Sequence, residues 1–506
     1  MSDVNNFPRT PPPYPALPQQ QNAGRPMQGQ GREDANMGIN DLEPFIVTLE
    51  KMGSPDLAAE VLKAFEKNSQ SFFQYENISK CYFKLKQWYD AMRTGEKAIA
   101  LSPNEEFTDV LRSNLINIYN RANYPEKAMA YIKIQERKVA TGVNLALDKA
   151  YTLYLLERKP EAKQILEDAL FNHADELDDE TKIKIRFNLG TYYLYEDQFQ
   201  KGLRHFMLEG AKMKLWQAEA LQERNKKLGF TFWEGSPDCK NLIVYGEAGI
   251  GDEVINSRFM KHLKDRGINA YWYTATQSDR DKNDRVGLTQ ILKKNNIPVI
   301  EDLAEIKKLG LTDVYWTLSM RLPIYLNCEY KDLWYGPYLK PCSEFKKKWK
   351  LKGKKLKIGI RWRGSKHYEH DLHRSYPLKE LYQIVKDIDA DFYSLQKHDG
   401  VEELPDFPGI INVEDKLETL EDTFALISNL DLVITSCTSI AHLAASQGKE
   451  VIVMTPISAY YLWCQIGPKT HWYGDNVTLV KQKKPRGWGE AMLELKEVLS
   501  KRGFYK

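Results

Sequence analysis

The stretch Asp431-Leu432-Val433-Ile434-Thr435-Ser436-Cys437-Thr438-Ser439-Ile440-Ala441-His442-Leu443-Ala444-Ala445-Ser446-Gln447-Gly448-Lys449 decides the reading of this sequence. Its apolar run, Leu432 to Thr435, has no polar alternation and predicts a strand covered on both faces, as in a parallel sheet. Small hydroxylic residues then open a helix, Gly448 stands where a C-terminal glycine ends one, and the next apolar run, Val451 to Met454, predicts a second strand. A helix start carries unpaired N–H groups, so Thr438 and Ser439 either cap the helix or offer hydroxyl and backbone donors to a phosphate. His442 follows one turn in, on the same side. Cys437 beside this helix start is expected to have a lowered pKa, but no catalytic dyad is legible and it reads as a packing or site-lining residue.

Outward from this unit the pattern repeats. Further strands are predicted at Leu242 to Tyr245, Ala270 to Tyr273, Val314 to Leu318, Leu356 to Arg361 and Phe392 to Leu395, alternating with amphipathic helices. The lysine-rich stretch Phe345 to Lys355 interrupts the alternation and reads as the crossing between two doubly wound lobes, with ligand expected between them at the carboxyl ends of strands. In the first lobe, Tyr245-Gly246-Glu247-Ala248-Gly249-Ile250-Gly251-Asp252-Glu253 joins strand to helix. Gly249 and Gly251 allow a tight turn beneath a ligand, and Asp252 places a carboxylate at the same edge. The loop is neither a Walker loop nor the dinucleotide fingerprint, and helix capping alone also accounts for an Asp here.

The second lobe opens with Lys357-Ile358-Gly359-Ile360-Arg361-Trp362-Arg363-Gly364-Ser365-Lys366 and continues to Arg374-Ser375. Four cations, Arg361, Arg363, Lys366 and Arg374, are what neutralising a diphosphate requires. His367, His370 and His373 with Glu369 and Asp371 invite a metal assignment. It is rejected in favour of no metal, because the segment reads as loop rather than as a helix that would align ligands at fixed spacing. Asp279-Arg280-Asp281 and Asp387-Ile388-Asp389-Ala390-Asp391 read as solvated loops, the second on the wrong edge of its sheet.

Before the lobes, from about 40 to 225, helical pairs carry small residues at Ala58, Ala91, Ala128, Ala162 and Gly202, at intervals of 33, 37, 34 and 40. A period near 34 with a small residue early in the second helix lets helix pairs approach and stack, and it resembles a tetratricopeptide-repeat array of four to five units, clearest at 69 to 103. Residues 1 to 38 hold seven of the 23 prolines and a glutamine run, and are expected to form a disordered tail. The division predicted is thus a tail at 1–38, repeats at 39–228, and Rossmann-like lobes at 229–345 and 346–506.

With 72 Lys+Arg against 69 Asp+Glu, the net charge of +3 points to neither a nucleic acid nor an anionic membrane as partner. The six cysteines are scattered without a CxxC pair, which argues against a disulfide framework and for a reducing compartment. No apolar run approaches the roughly 20 residues of a membrane helix. A cytoplasmic protein without a membrane span is expected.

Taken together, the blocks Phe232-Trp233-Glu234-Gly235, Gly246 to Asp252, Leu318-Ser319-Met320-Arg321-Leu322-Pro323, Gly359 to Gly364, Asp371 with Arg374-Ser375, Phe392 to Gln396 and Thr438 to Leu443 resemble a known family. It comprises bacterial proteins in which tetratricopeptide repeats precede a glycosyltransferase family 9-like, heptosyltransferase-like domain of GT-B fold. The resemblance spans about 230 to 485. It implies that Asp252 is the general base, that Thr438, Ser439 and His442 hold the diphosphate of a nucleotide-sugar donor, and that transfer to a hydroxyl acceptor, protein or glycan, proceeds with inversion and without metal or other cofactor. Arg361, Arg363, Lys366, Arg374 and Ser375 complete the donor-binding set. The sequence departs from the family pattern at Ala248, where Gln is common, and at Cys437, often Asp. The alternatives are a non-catalytic scaffold, in which the repeats bind a partner and the lobes keep only a fold, and a nucleotide-sugar epimerase, whose histidine and carboxylate motifs are not recognisable.

Overall fold

The computed structural model describes residues 42–138, 142–209, 215–274, 282–366, 368, 370–464 and 467–505. The tail at 1–38, Asp279-Arg280-Asp281, His367 and Glu369 lie outside the described residues. The chain forms two compact units. One contains residues 42–177 together with Tyr368 and 370–373, and the other contains 178–366 and 374–505.

The first unit is a run of antiparallel helix pairs: α1 (Leu42–Lys51) with α2 (Pro55–Lys67), α3 (Phe72–Lys84) with α4 (Trp88–Ala100), α5 (Glu105–Arg121) with α6 (Pro125–Lys138), and α7 (Val143–Leu155) with α8 (Lys159–Asn172). Within each pair the first helix ends in a left-handed residue, Gly53, Lys86, Asn123 or Glu157, with φ of 76°, 59°, 63° and 61°. The next N–H bonds the carbonyl five residues back, as in Gln87 to Tyr82 at 2.9 Å and Tyr124 to Tyr119 at 2.7 Å, which closes the helix and reverses the chain. Five residues beyond each reversal stands the small residue of the repeat, and Ala58, Ala91, Ala128 and Ala162 are all fully buried. The periodicity legible in the sequence is therefore the period of this turn and its packing contact. In the same unit Nε2 of His373 donates to the Arg121 carbonyl at 3.3 Å, and Nε2 of His370 lies 3.3 Å from the Arg121 guanidinium. Burial pushes the His373 imidazole down to about 4. These histidines pack on the end of α5, and among the described residues no group of three or more His, Cys, Asp or Glu is placed to hold a metal ion.

The second unit opens with α9 (Asp179–Tyr195) and α10 (Phe199–Leu203), a helix pair built on the same plan, with Asp197 at φ 57° and Gly202 five residues on. A Cβ at Gly190 would lie 2.6 Å from the Phe206 backbone nitrogen, and one at Gly202 would lie 2.9 Å from the Gly190 carbonyl, so this close crossing requires glycine on both helices. Although its sequence pattern groups this pair with the repeats, Phe187, Leu194, Phe199, Leu203 and Phe206 join one apolar core with Trp233, Leu242 and Val244 of the α/β lobes.

Two all-parallel sheets follow. The first has order β1-β5-β2-β3-β4, from β1 (Thr231–Phe232), β2 (Asn241–Tyr245), β3 (Asn269–Tyr273), β4 (Val299–Ile300) and β5 (Val314–Leu318). The second has order β11-β10-β9-β6-β7-β8, from β6 (Leu356–Arg361), β7 (Ala390–Ser394), β8 (Ile410–Asn412), β9 (Leu432–Ser436), β10 (Glu450–Thr455) and β11 (Val477–Lys481). Every strand predicted from an apolar run is present. Along β9, Val433 faces one core while Leu432 and Ile434 face another, so both faces are covered and the strand reads as continuously apolar. The strands missing from the sequence reading are β1, β4, β8 and β11. Three of these are only two or three residues long, too short to show a period. The architecture is a helical-repeat solenoid followed by two Rossmann-like lobes in the GT-B arrangement. Among the described residues no helix is long and apolar enough to cross a membrane.

Candidate functional site

The two lobes meet at the carboxyl ends of β2 and β9. After β2 the glycine loop enters α11 (Ile250–Asn256), and after β9 the hydroxylic turn enters α12 (Ser439–Ser446). The first turns of these helices are in contact: a Cβ at Gly251 would lie 2.8 Å from Cδ2 of His442 and 3.3 Å from Cα of Ser439. Gly251 is thus a close-approach glycine between lobes, whereas Gly249 is the N-cap of α11 in ordinary extended backbone. Two helix N-termini, each with partial positive charge, are thereby brought together.

Asp252 is buried in this junction, 5% exposed. Its Oδ2 accepts from the Gly249 N–H at 3.0 Å, the reach-back bond of a capping box, and its Oδ1 accepts from the Tyr460 hydroxyl at 2.9 Å. The loop beneath is fixed from three sides. Ala248 is left-handed at φ 62°, and its carbonyl accepts from Arg285 at 2.9 Å. Arg285, on the helix Lys282–Lys294, pairs with Glu253, which also accepts from the Trp272 indole at 3.1 Å, so this buried charge is compensated. Glu247 accepts from the Met320 backbone N–H at 2.9 Å, tying the loop to the turn after β5.

On the facing side, Thr438 is the N-cap of α12 by backbone position, but its hydroxyl makes no capping bond and lies instead 3.3 Å from that of Thr435. Ser439 begins the helix against Gly251. His442 is buried, bonded through Nδ1 to the Tyr473 hydroxyl at 2.9 Å and stacked on Trp463 with centroids 5.2 Å apart and 11° between planes. Burial, reinforced by the Arg258 guanidinium, pushes His442 down to about 3, so it is neutral at any ordinary pH. The expectation for Cys437 is overturned: burial pushes its thiol up to about 11, outweighing the opposing pull of Arg374 and of the Trp463 indole donating at 3.1 Å. A helix start lowers a thiol only where the thiolate is solvated or paired well enough to offset burial.

The four cations do not converge as the sequence suggests. Arg374 donates to the Cys437 carbonyl at 3.0 Å and so belongs to the α12 turn. Arg361 spends its guanidinium on the carbonyls of Arg363 (3.1 Å) and Leu395 (3.0 Å), bracing the loops after β6 and β7. Arg363 faces Glu403 at 3.3 Å, and Lys366 lies 3.9 Å from Asp399. Ser375 accepts from the Gly364 N–H at 3.3 Å, closing the base of the same loop. Asp389 pairs with Lys355 at the start of β7, on the edge away from the site.

Residues absent from the sequence reading line the junction as well. Arg258, 1% exposed, donates to the carbonyls of Ile255, Leu333 and Trp472 and to the Tyr338 hydroxyl, with its guanidinium 4.7 Å from the centre of the Tyr473 ring. It ties the helix after the glycine loop to Leu333 and Tyr338, ahead of the crossing, and through Trp472 to the second lobe. Tyr460, Trp463, Trp472 and Tyr473 come from one aromatic-rich segment after β10, whose only sequence signal is that density of rings beyond the last predicted strand.

No protein-family model matches the sequence, and neither does any curated protein. Similar solved structures include ADP-heptose heptosyltransferase II of Escherichia coli, with 12% identity and TM-score 0.34 over 52% of this chain and 97% of that one. A tetratricopeptide-repeat protein of Thermus thermophilus aligns at 21% identity and TM-score 0.26, over 36% of this chain and 99% of its own. An O-GlcNAc transferase variant of Thermobaculum terrenum aligns at 11% identity and TM-score 0.35, over 92% of this chain and 91% of its own.

Proposed function

We propose that the protein is a glycosyltransferase that moves a sugar from a nucleotide-diphosphate donor to a hydroxyl acceptor. The observation that carries this reading is the junction of two helix N-termini from two Rossmann-like lobes with a buried carboxylate, Asp252, between them. Convergent helix starts suit the diphosphate of a donor, and two of the blocks through which the sequence resembles family 9 glycosyltransferases, Gly246 to Asp252 and Thr438 to Leu443, carry these helix starts. In the reaction an acceptor oxygen forms a bond to the anomeric carbon as the bond from that carbon to the diphosphate breaks. Asp252 takes the acceptor proton, the nucleoside diphosphate leaves with the electron pair, and the configuration inverts. The start of α12, with Thr438, Ser439 and the neutral His442, and Arg374 beside it, stabilises the leaving charge without a metal ion. Arg361, Arg363, Lys366 and Ser375 shape the loop that borders the donor. The helical repeats recognise a protein or glycan acceptor or a partner.

A non-catalytic scaffold is the second reading. It is favoured by the intramolecular engagement of Arg361, Arg363 and Lys366 and of both Asp252 oxygens. A thermal-shift panel of UDP-, GDP- and ADP-sugars and the free nucleoside diphosphates separates the two. The glycosyltransferase reading expects at least one to raise the melting temperature, and expects Asp252→Asn to bind it but to lose turnover. A panel without any shift refutes it.

A further inference from the structure

A carboxylate that serves only as a helix cap needs one oxygen, and Oδ2 of Asp252 meets that need through the Gly249 N–H. The second oxygen is held by a phenol from the opposite lobe. Tyr460 lies between β10 and the short helical turn Tyr461–Trp463. Its ring packs edge-on against Tyr461 at 4.6 Å, and Tyr461 in turn packs against Phe206 at 5.1 Å and Trp472 at 5.7 Å. Trp463, two residues further, stacks on His442. One rigid aromatic segment therefore sets both the neutral imidazole and the phenol that reaches Asp252.

We infer that Tyr460 is a positioning residue for Asp252, its hydroxyl fixing the carboxylate's rotamer and holding it ionised toward the acceptor side. The role in turnover rests on Asp252 being the base, as proposed above; the contact itself does not. A hydrogen bond donated to a carboxylate favours its charged form, so removing the donor raises the pH at which the group takes up a proton. Among the described residues, the titratable or charged groups lining the same junction include Tyr461 and Cys437, which interact with Asp252, together with His442, Arg258, Arg374 and Glu247, and the Tyr460 hydroxyl donates to Oδ1.

The test uses the full chain labelled with ¹³C at the aspartate side-chain carboxyl, the Asp252 resonance being assigned by its loss in Asp252→Asn. In Tyr460→Phe the titration midpoint of that resonance moves up by about one pH unit. In Tyr382→Phe, which removes a hydroxyl donated to the Pro408 carbonyl away from this junction, it does not move. With the nucleotide sugar identified by the panel, Tyr460→Phe keeps the ligand-induced rise in melting temperature. Its kcat for transfer to water falls about tenfold with KM little changed, and its acid limb follows the same upward movement. An unmoved midpoint in Tyr460→Phe overturns the inference. A panel without any binder overturns the glycosyltransferase reading and leaves the carboxylate titration to decide the role of Tyr460.

Discussion

Substituting Gly251 by alanine tests the junction directly. The added Cβ would stand 2.8 Å from Cδ2 of His442 and 3.3 Å from Cα of Ser439. Ordinary carbon contacts begin at about 3.5 Å, so the two helices must part by roughly half an ångström or more. The imidazole cannot swing aside, because it is bonded to Tyr473 and stacked on Trp463, and the second contact is backbone. Overpacking of this kind costs about 1–3 kcal/mol, a factor of roughly 5 to 150 in any equilibrium that needs the helices together. The assay is a thermal-shift titration with the nucleoside diphosphates, beside Gly489→Ala as control, since a Cβ there meets no atom within 4 Å. Gly251→Ala is expected to melt at least about 2 °C below the control and to bind nucleotide more weakly by that factor. If Gly251→Ala melts and binds like Gly489→Ala, the helices do not pack as described and the reasoning fails.

Two further outcomes follow from the same structure. His442 and His373 are held down to about 3 and about 4, below the ordinary imidazole value near 6.5, so between those values the unfolded chain binds more protons than the folded one. Stability is therefore fully present above about pH 6.5 and declines as pH falls toward 4. A melting curve series should show this, and His442→Gln should flatten it by about one proton. In the repeats, Lys86→Gly and Glu157→Gly relieve left-handed turns at φ 59° and 61°. Relief of about 1–2 kcal/mol of strain exceeds the entropic cost of glycine by roughly 0.5–1 kcal/mol. Chemical denaturation should read this as a gain for each variant, and a loss in either would show that the turn is not strained.

The repeat period was legible because each unit needs a small residue at its helix crossing, and the α/β alternation because a strand buried on both faces, such as Leu432 to Ser436, tolerates no polar alternation. Gly251, Asp252, Ser439 and His442 were likewise marked by the turns that carry them. The sequence could not tell a glycine that frees a loop from one that lets two helices touch, because the partner of Gly251 lies nearly two hundred residues away at His442. Nor could it apportion the cations. Arg361, Arg363, Lys366 and Arg374 share one loop pattern, yet carbonyls and carboxylates reaching in from the loop after β7 engage the first three, while Arg374 turns to Cys437. Burial also reversed the local expectation at Cys437, where the dry surroundings outweigh the helix start. Local periodicity and turn chemistry thus determined the elements and marked which of their ends carry the candidate site. The contacts of Asp252 with Tyr460, of His442 with Tyr473 and of Arg258 with Tyr338 were decided only in the tertiary structure, because hydrogen bonding and desolvation depend on distance in space and not on spacing along the chain.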